Sequence, residues 1–188
     1  MKKIFIIGFN KIGTRSLHIY FSANGIKSVH WDKAKLASTI DFNYKNNKNI
    51  LEGYENYTAF SDMEDSARNI YAYLTYYKEF DKQYPESKFI LNIRYIEDWI
   101  KSRNLHGKGN YIRDACKLLG LSKEKVNDKW RKDYKNHIIN VKEYFSDKPN
   151  KLLIFDIDKD EISKINKFFP EYNLDGKLYK HIGRTRKK

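Results

Sequence analysis

The sequence has little cysteine, little proline and no long apolar run. One of its 188 residues is cysteine, Cys116, and three are proline. A single cysteine excludes an intramolecular disulfide, and no spacing of cysteine and histidine is typical of a zinc site. The first apolar run, residues 4–7, is too short for a signal-peptide core, and no later stretch is long enough to span a bilayer. We therefore expect a soluble, cytoplasmic protein without a metal site or a membrane segment.

Acidic residues are also in the minority. The chain has 37 lysines and arginines against 24 aspartates and glutamates, which gives a formal net charge of +13. This excess favours anionic ligands such as nucleotides, nucleic acids or acidic glycans, without choosing among them. Apolar residues make up 40% of the chain and aromatic residues 15%, which excludes a disordered protein. The length predicts one domain, over residues 1–179, followed by a basic tail over residues 180–188.

Short apolar segments alternate with helical patterns along the chain. The predicted strands are residues 3–8, 26–31, 57–60, 88–93 and 152–155, and the predicted helices include residues 17–23, 32–51, 96–103, 126–145 and 161–169. This alternation predicts an α/β fold with three layers, α/β/α, around a mainly parallel sheet.

Two further segments carry local structural signals. Ser61-Asp62-Met63-Glu64 has the capping-box pattern, which predicts that a long helix begins there and ends at Pro85. Residues 106–110 contain two glycines and predict a mobile loop. His137 lies on the apolar face of the helix predicted over residues 126–145, so we expect a hydrogen-bonded core histidine rather than a catalytic one.

A glycine-rich segment joins the first predicted strand to the first predicted helix. It reads Gly8-Phe-Asn-Lys-Ile-Gly-Thr-Arg-Ser16. A glycine loop before a helix presents backbone N–H groups and the positive end of the helix dipole to one point, where a phosphate binds. The glycine spacing is that of the Walker A loop, but Thr14 stands where that loop has its lysine, and the lysine comes earlier, at Lys11.

A second phosphate-binding candidate lies in residues 89–103. Arg94 follows the apolar strand predicted over residues 88–93, and Ser102 lies eight residues later on the next predicted helix. An arginine at the carboxyl end of a strand and a serine on the following helix can converge on one phosphate at the edge of the sheet.

With these two segments, residues 4–173 resemble the sulfotransferases that use 3′-phosphoadenosine 5′-phosphosulfate (PAPS). The first segment is similar to their 5′-phosphosulfate loop and the second to their 3′-phosphate motif. The resemblance implies a P-loop fold and in-line transfer of a sulfuryl group, with no metal requirement, to a hydroxyl or amine of a small-molecule or glycan acceptor. Lys11 would neutralise charge on the leaving oxygen. The implied binding residues are Lys11, Gly13, Thr14, Arg15 and Ser16 for the 5′-phosphate and sulfate, and Arg94 and Ser102 for the 3′-phosphate.

The acceptor also needs a general base. Asp62 is the first candidate, because it follows a predicted strand near the place where cytosolic members of the family carry a catalytic histidine. His30 and Asp32, at the end of the second predicted strand, are the other two candidates. The alternative interpretation of Asp62 is a carboxylate that only stabilises the start of a helix.

Two other functions fit parts of the sequence. A P-loop kinase would explain the apolar strand ending in Asp156, but the lysine that such an enzyme needs next to Ser or Thr is replaced by Thr14. A non-catalytic polyanion-binding protein would use the net charge and the basic residues 184–188. The sequence contains no recognised nucleic-acid-binding module, so we expect no specific nucleic-acid partner.

Overall fold

The computed structural model describes residues 2–182, and its centre is a five-stranded parallel sheet. The sheet strands are β1 (Ile4–Ile6), β2 (Ser28–His30), β3 (Ala59–Ser61), β6 (Lys88–Ile93) and β7 (Leu152–Asp156). They lie in the order β2-β3-β1-β6-β7, and every neighbouring pair is parallel. A separate antiparallel hairpin is formed by β4 (Glu64–Asp65) and β5 (Ile70–Tyr71). The prediction of an α/β fold with a mainly parallel sheet is confirmed.

Helices connect the strands and flank the sheet. They are α1 (Thr14–Ala23), α2 (Lys35–Lys45), α3 (Ala72–Thr75), α4 (Tyr77–Gln83), α5 (Ile96–Leu105), α6 (Asn110–Leu119), α7 (Lys123–Tyr144) and α8 (Ser163–Phe168). Across residues 2–182, none of these helices combines the length and the apolarity needed to cross a membrane.

The central strand β1 is entirely buried, as its uninterrupted apolar sequence requires. The ring of Phe5 stacks on Phe60 of β3 and Phe89 of β6, with centroids 5.4 and 5.3 Å apart. Phe80 of α4 stacks on the same ring at 4.5 Å. This aromatic cluster packs α4 against three adjacent strands. The loop that follows β1 therefore begins in a well-packed part of the core.

The prediction that a helix begins at residues 61–64 is wrong. Strand β3 ends at Ser61, Asp62 adopts a left-handed conformation (φ 54°), and Glu64 begins the β4–β5 hairpin. The Glu64 carboxylate accepts hydrogen bonds from Asn10 and Tyr111. It therefore does not cap a helix, because distant partners in the core replace the local bond that the capping-box pattern predicts. A 3₁₀ turn follows at Ser66–Arg68, and α-helical structure begins only at Ala72 and ends before Pro85.

Helix α7 confirms the predicted core role of His137. Its Nε2 donates a hydrogen bond to the carbonyl oxygen of Ile7 at 2.7 Å, and burial lowers the pKa of the imidazole to about 4. The predicted loop at residues 106–110 is a 3₁₀ turn, with left-handed backbone at Gly107, Lys108 and Gly109, that leads directly into α6. Most of the predicted tail, residues 183–188, lies outside the described residues.

Candidate active site

A cavity of about 1360 Å³ opens at one edge of the sheet. It is lined by residues that end or follow all five parallel strands, which is where α/β sheets place their ligands. These residues are Asn10 and Lys11 after β1, His30 and Trp31 at β2, Asp62 after β3, Arg94 after β6, and Ile157 and Asp158 after β7.

The loop that follows β1 is held in shape by the buried side chain of Asn92. The backbone N–H of Gly8 donates to Oδ1 of Asn92 at 3.1 Å, and Nδ2 of Asn92 donates to the carbonyl oxygen of Ile12 at 2.6 Å. A Cβ atom on Gly8 would lie 2.3 Å from that Oδ1, so only glycine allows this approach. The sequence did not single out Asn92, although one polar residue inside an apolar strand is a signal for such a role.

The same loop brings the start of α1 to the cavity. Lys11 and Gly13 both have left-handed backbones, with φ of 64° and 82°, and Thr14 is the first residue of the helix. Among the described residues, no side chain caps this helix N-terminus. Since Gly13 and Thr14 both line the cavity, the positive end of the α1 dipole faces it, as an anion-binding loop requires.

Three cationic side chains line the same cavity: Lys11, Arg15 and Arg94. Nη1 of Arg94 donates to the carbonyl oxygen of Lys11 at 3.3 Å, and its Nε lies 3.6 Å from Oδ2 of Asp158. Burial lowers the pKa of Lys11; Asp62 opposes the shift, whereas Arg15 and Arg94 add to it. Mutual repulsion of this kind is relieved when an anion binds between the cations.

The two serines predicted to bind phosphate differ in position. Ser102, on α5, is buried and lines the cavity together with Arg94. Ser16 is also buried, but its Oγ accepts a hydrogen bond from the backbone N–H of Ile182 at 2.9 Å. Ile182 and His181 line the cavity in its place. The structure thus brings six of the seven predicted binding residues to the cavity. The seventh, Ser16, does not line it and contacts Ile182 instead.

Two of the three predicted bases, Asp62 and His30, face the cavity and each other. Nε2 of His30 lies 3.4 Å from Oδ2 of Asp62, and its Nδ1 lies 3.0 Å from Oγ of Ser61. Asp32 is exposed, does not line the cavity, and accepts a hydrogen bond from the Tyr54 hydroxyl at 2.6 Å. Asp62 precedes a strand, so its interpretation as a helix-end carboxylate is wrong.

Both of these side chains have strongly shifted pKa values. Burial raises the pKa of Asp62 well above its usual range; nearby Glu64 adds to the shift, whereas Lys11 opposes it. Burial also lowers the pKa of His30 to about 4, with His18 next to it contributing in the same direction. Both shifts favour the uncharged form of the side chain.

A second carboxylate, Glu64, lies in the cavity wall within a buried hydrogen-bond network. One oxygen accepts from Nδ2 of Asn10 at 2.7 Å and from the Tyr111 hydroxyl at 3.0 Å, and the other accepts from the Tyr73 hydroxyl at 3.4 Å. Nη2 of Arg103 donates to the same Tyr111 hydroxyl. Burial raises the pKa of Glu64, and Arg103 opposes that shift. No periodic pattern in the sequence indicates this network, because its members lie far apart along the chain.

Residues 3–112 match the model of a sulfotransferase domain. The matched residues cover more than half of the chain and contain both phosphate-binding segments. The chain belongs to the sulfotransferase domain family. No curated protein matches the sequence. Membership makes the chain a transferase of sulfuryl groups and counts against the kinase alternative, which would need the lysine that Thr14 replaces.

In this sulfotransferase domain, the matched segment ends inside α6. It therefore includes the glycine loop, Asp62, Arg94 and Ser102, whereas α7, β7 and α8 lie beyond it. The lining residues Ile157, Asp158, His181 and Ile182 come from that later part of the chain. The cavity is completed by residues on both sides of the boundary, so the two parts form one site.

Proposed function

We propose that the chain transfers a sulfuryl group from PAPS to a hydroxyl or amine of a small-molecule acceptor. The observation that carries the proposal is that Lys11, Arg94 and Ser102 line one cavity, although the last two lie more than eighty residues after Lys11 in the sequence. A site for a nucleotide with phosphates at both its 5′ and 3′ positions needs two anion-binding regions on one cavity. A site for ATP needs only the region that binds the 5′-phosphates.

The residues present fit such a donor. Among residues 2–182, Oδ1 of Asp62 is buried without a hydrogen-bond partner, and Nε of Arg94 makes no hydrogen bond beyond its ion pair with Asp158 at 3.6 Å. Buried polar atoms are rarely left unpaired, so both are candidates for contact with a bound ligand. At about 1360 Å³ the cavity has room for a nucleotide and an acceptor together, since small-molecule pockets measure about 300–1,000 Å³.

PAPS supplies an activated sulfuryl group on its 5′-phosphate. The loop amides around Gly13 and Thr14 and the Arg15 side chain would hold the 5′-phosphate and sulfate oxygens, while Arg94 and Ser102 hold the 3′-phosphate. Lys11 would stabilise the negative charge that appears on the phosphate oxygen as its bond to sulfur breaks. Ser16 would support the start of α1 rather than contact the donor directly.

We assign Asp62 as the base that takes the proton from the acceptor. As the acceptor oxygen or nitrogen bonds to sulfur, its proton passes to the Asp62 carboxylate, and the electron pair of the broken S–O bond stays on the 5′-phosphate of the departing nucleotide. A carboxylate with an ordinary pKa of about 3.9 is a weak base for a hydroxyl. The burial that raises the pKa of Asp62 makes its ionised form a stronger base.

Turnover of a lysine variant tests the proposed role of the glycine loop in sulfuryl transfer. The protein is incubated with PAPS and a mixture of uncharged hydroxyl and amine compounds, and mass spectrometry detects products heavier by one sulfuryl group. Lys11→Ala should remove most of the product, because the lysine acts mainly on charge that develops in the transition state. Lys101→Ala, an exposed lysine on α5, is the matched control and should behave as the wild type. Equal rates in both variants would contradict the role of the loop.

A further inference from the structure

A second cavity, of about 610 Å³, lies beside the first. It is bounded by the β4–β5 hairpin, α6 and α7, and it shares Ser66 and Tyr111 with the main cavity. The hydroxyl of Tyr111 is fixed by Glu64 and Arg103, so its ring forms a defined boundary between the two spaces. The two cavities therefore adjoin at Ser66 and Tyr111, the residues that line both of them.

The walls of the second cavity are mainly aromatic and aliphatic. They include the side chains of Phe9, Tyr71, Leu74, Ala115, Leu118, Leu119 and Trp130. Its volume lies within the range of about 300–1,000 Å³ that small-molecule sites occupy. Apolar walls of this kind bind apolar groups by removing their surface from water.

Helix α6 explains why these side chains are not simply part of the core. Its apolar residues Tyr111, Ala115, Leu118 and Leu119 recur at helical spacing, which is the pattern of a helix with one buried face. Only Ile112 of this helix is fully buried, however, and Leu118 remains 48% exposed. Tyr111, Ala115 and Leu119 are therefore only partly buried: they pack against the core and also line the cavity, while Leu118 stays exposed.

Charged side chains of both signs line the second cavity. Its lining includes two aspartates, Asp114 and Asp133, and two lysines, Lys117 and Lys129. Nζ of Lys129 lies 2.7 Å from Oδ2 of Asp133. The buried guanidinium of Arg103 lies 4.1 Å from the ring centre of Trp130, and its hydrogen bond goes to a tyrosine hydroxyl already held by a carboxylate. Apart from Arg103 these charges cancel, so apolar contact area is the main contribution that this cavity offers to an acceptor.

We propose that the second cavity is the acceptor subsite and that it takes an uncharged acceptor with an apolar, ring-sized body. The nucleophilic hydroxyl or amine of that acceptor enters the main cavity past Tyr111. This inference rests on the proposed sulfuryl transfer, and it favours a small apolar acceptor over an acidic glycan. Ala115, Leu118 and Leu119 then select the acceptor by the space that their side chains leave.

Binding of 2-naphthol, an uncharged two-ring alcohol, tests the proposal. Its affinity is measured by calorimetry in the presence of saturating 3′-phosphoadenosine 5′-phosphate, for the wild type and for two variants. Ala115→Phe fills the cavity, and Leu118→Lys places a charge on its wall at a residue that is already 48% exposed, so the variant should fold. Each should weaken naphthol binding about tenfold or more. Ala23→Phe, at an exposed alanine of α1, is the matched control and should leave the affinity unchanged.

The affinity for 3′-phosphoadenosine 5′-phosphate, measured on the same four proteins, separates this inference from the proposed function. Equal naphthol affinity in all four proteins, or no naphthol binding by the wild type, would overturn the subsite. If naphthol binding responds to the variants but the nucleotide does not bind, the cavity remains an apolar site and its role as acceptor subsite is overturned. Tight nucleotide binding with loss of naphthol binding in the two cavity variants alone supports both.

Discussion

Nε2 of His30 lies 3.4 Å from Oδ2 of Asp62, and both side chains face the main cavity. Burial raises the pKa of the carboxyl and lowers that of the imidazole to about 4, so the pair favours an uncharged carboxylic acid next to an uncharged histidine. In the proposed reaction Asp62 must be ionised to accept a proton, and His30 holds the carboxylate in position. The two residues therefore act together, with different tasks.

Asp62→Asn should lower the turnover rate by about 10²-fold or more, which is a typical contribution of a general base. The left-handed backbone of Asp62 suits asparagine, so the substitution should leave the fold unchanged. Affinity for 3′-phosphoadenosine 5′-phosphate, measured by calorimetry, should stay at the wild-type value. His30→Ala should have a smaller effect; an inactive His30→Ala protein beside an active Asp62→Asn protein would transfer the role of base to the histidine.

The rate should depend on pH through Asp62. Because its ionised form is the active one, turnover should rise with pH as the carboxyl loses its proton, at a pH above the usual aspartate range. His30, with a pKa of about 4, is already uncharged there and does not cause the rise. A rate profile measured on the wild type and on His30→Gln should show the same rise in both. Its loss in the histidine variant would contradict this assignment.

The same carboxyl should reduce stability at neutral pH. Its folded-state pKa lies above the unfolded value, so its contribution is most favourable at pH values below the unfolded pKa and is lost as pH rises through the folded pKa. Asp62→Asn should thus raise the free energy of unfolding at pH 7 by about 1 kcal/mol or more, and the gain should shrink at pH 4. Urea denaturation at the two pH values measures it. A destabilised variant at pH 7 would show that the carboxylate is well compensated in the folded protein.

Asn92→Leu tests the support of the glycine loop. The substitution keeps the number and branching of the side-chain heavy atoms but leaves the N–H of Gly8 and the carbonyl of Ile12 buried without partners, at a cost of about 1–3 kcal/mol for each group. Urea denaturation should show this loss, and the nucleotide should bind more weakly. Asn136→Leu, at an exposed position of α7, is the matched control. Unchanged stability in Asn92→Leu would mean that the loop keeps its shape without this side chain.

The sequence predicted those parts of the fold that depend on neighbouring residues. Strand β6 has the predicted bounds because its apolar run is flanked by polar residues, and α1 follows the glycine loop as its pattern requires. Residues 61–64 were mispredicted as a helix start because Glu64 finds its partners in Asn10 and Tyr111, which lie far away in the chain. Long-range hydrogen bonds of this kind leave no local pattern.

The same distinction between local patterns and long-range contacts applies to the residues of the candidate site. Lys11 and Arg94 were predicted from motifs, because Lys11 lies in the glycine loop that joins β1 to α1 and Arg94 directly follows the apolar strand β6. Glu64 and Arg103 were missed, since their burial depends on the packing of α5, α6 and the hairpin. The contact between Ser16 and Ile182 was also unpredictable, because it joins the first helix to residues near the end of the chain.

The most direct test of PAPS as donor is calorimetry that compares 3′-phosphoadenosine 5′-phosphate with AMP, which lacks the 3′-phosphate. We predict that the wild type prefers the first nucleotide by about tenfold to a hundredfold, the value of one or two charge-assisted hydrogen bonds. Arg94→Met should abolish this preference, and Arg131→Met, at a surface arginine that pairs with Glu97, should keep it. Equal affinity of the wild-type protein for the two nucleotides would contradict the account.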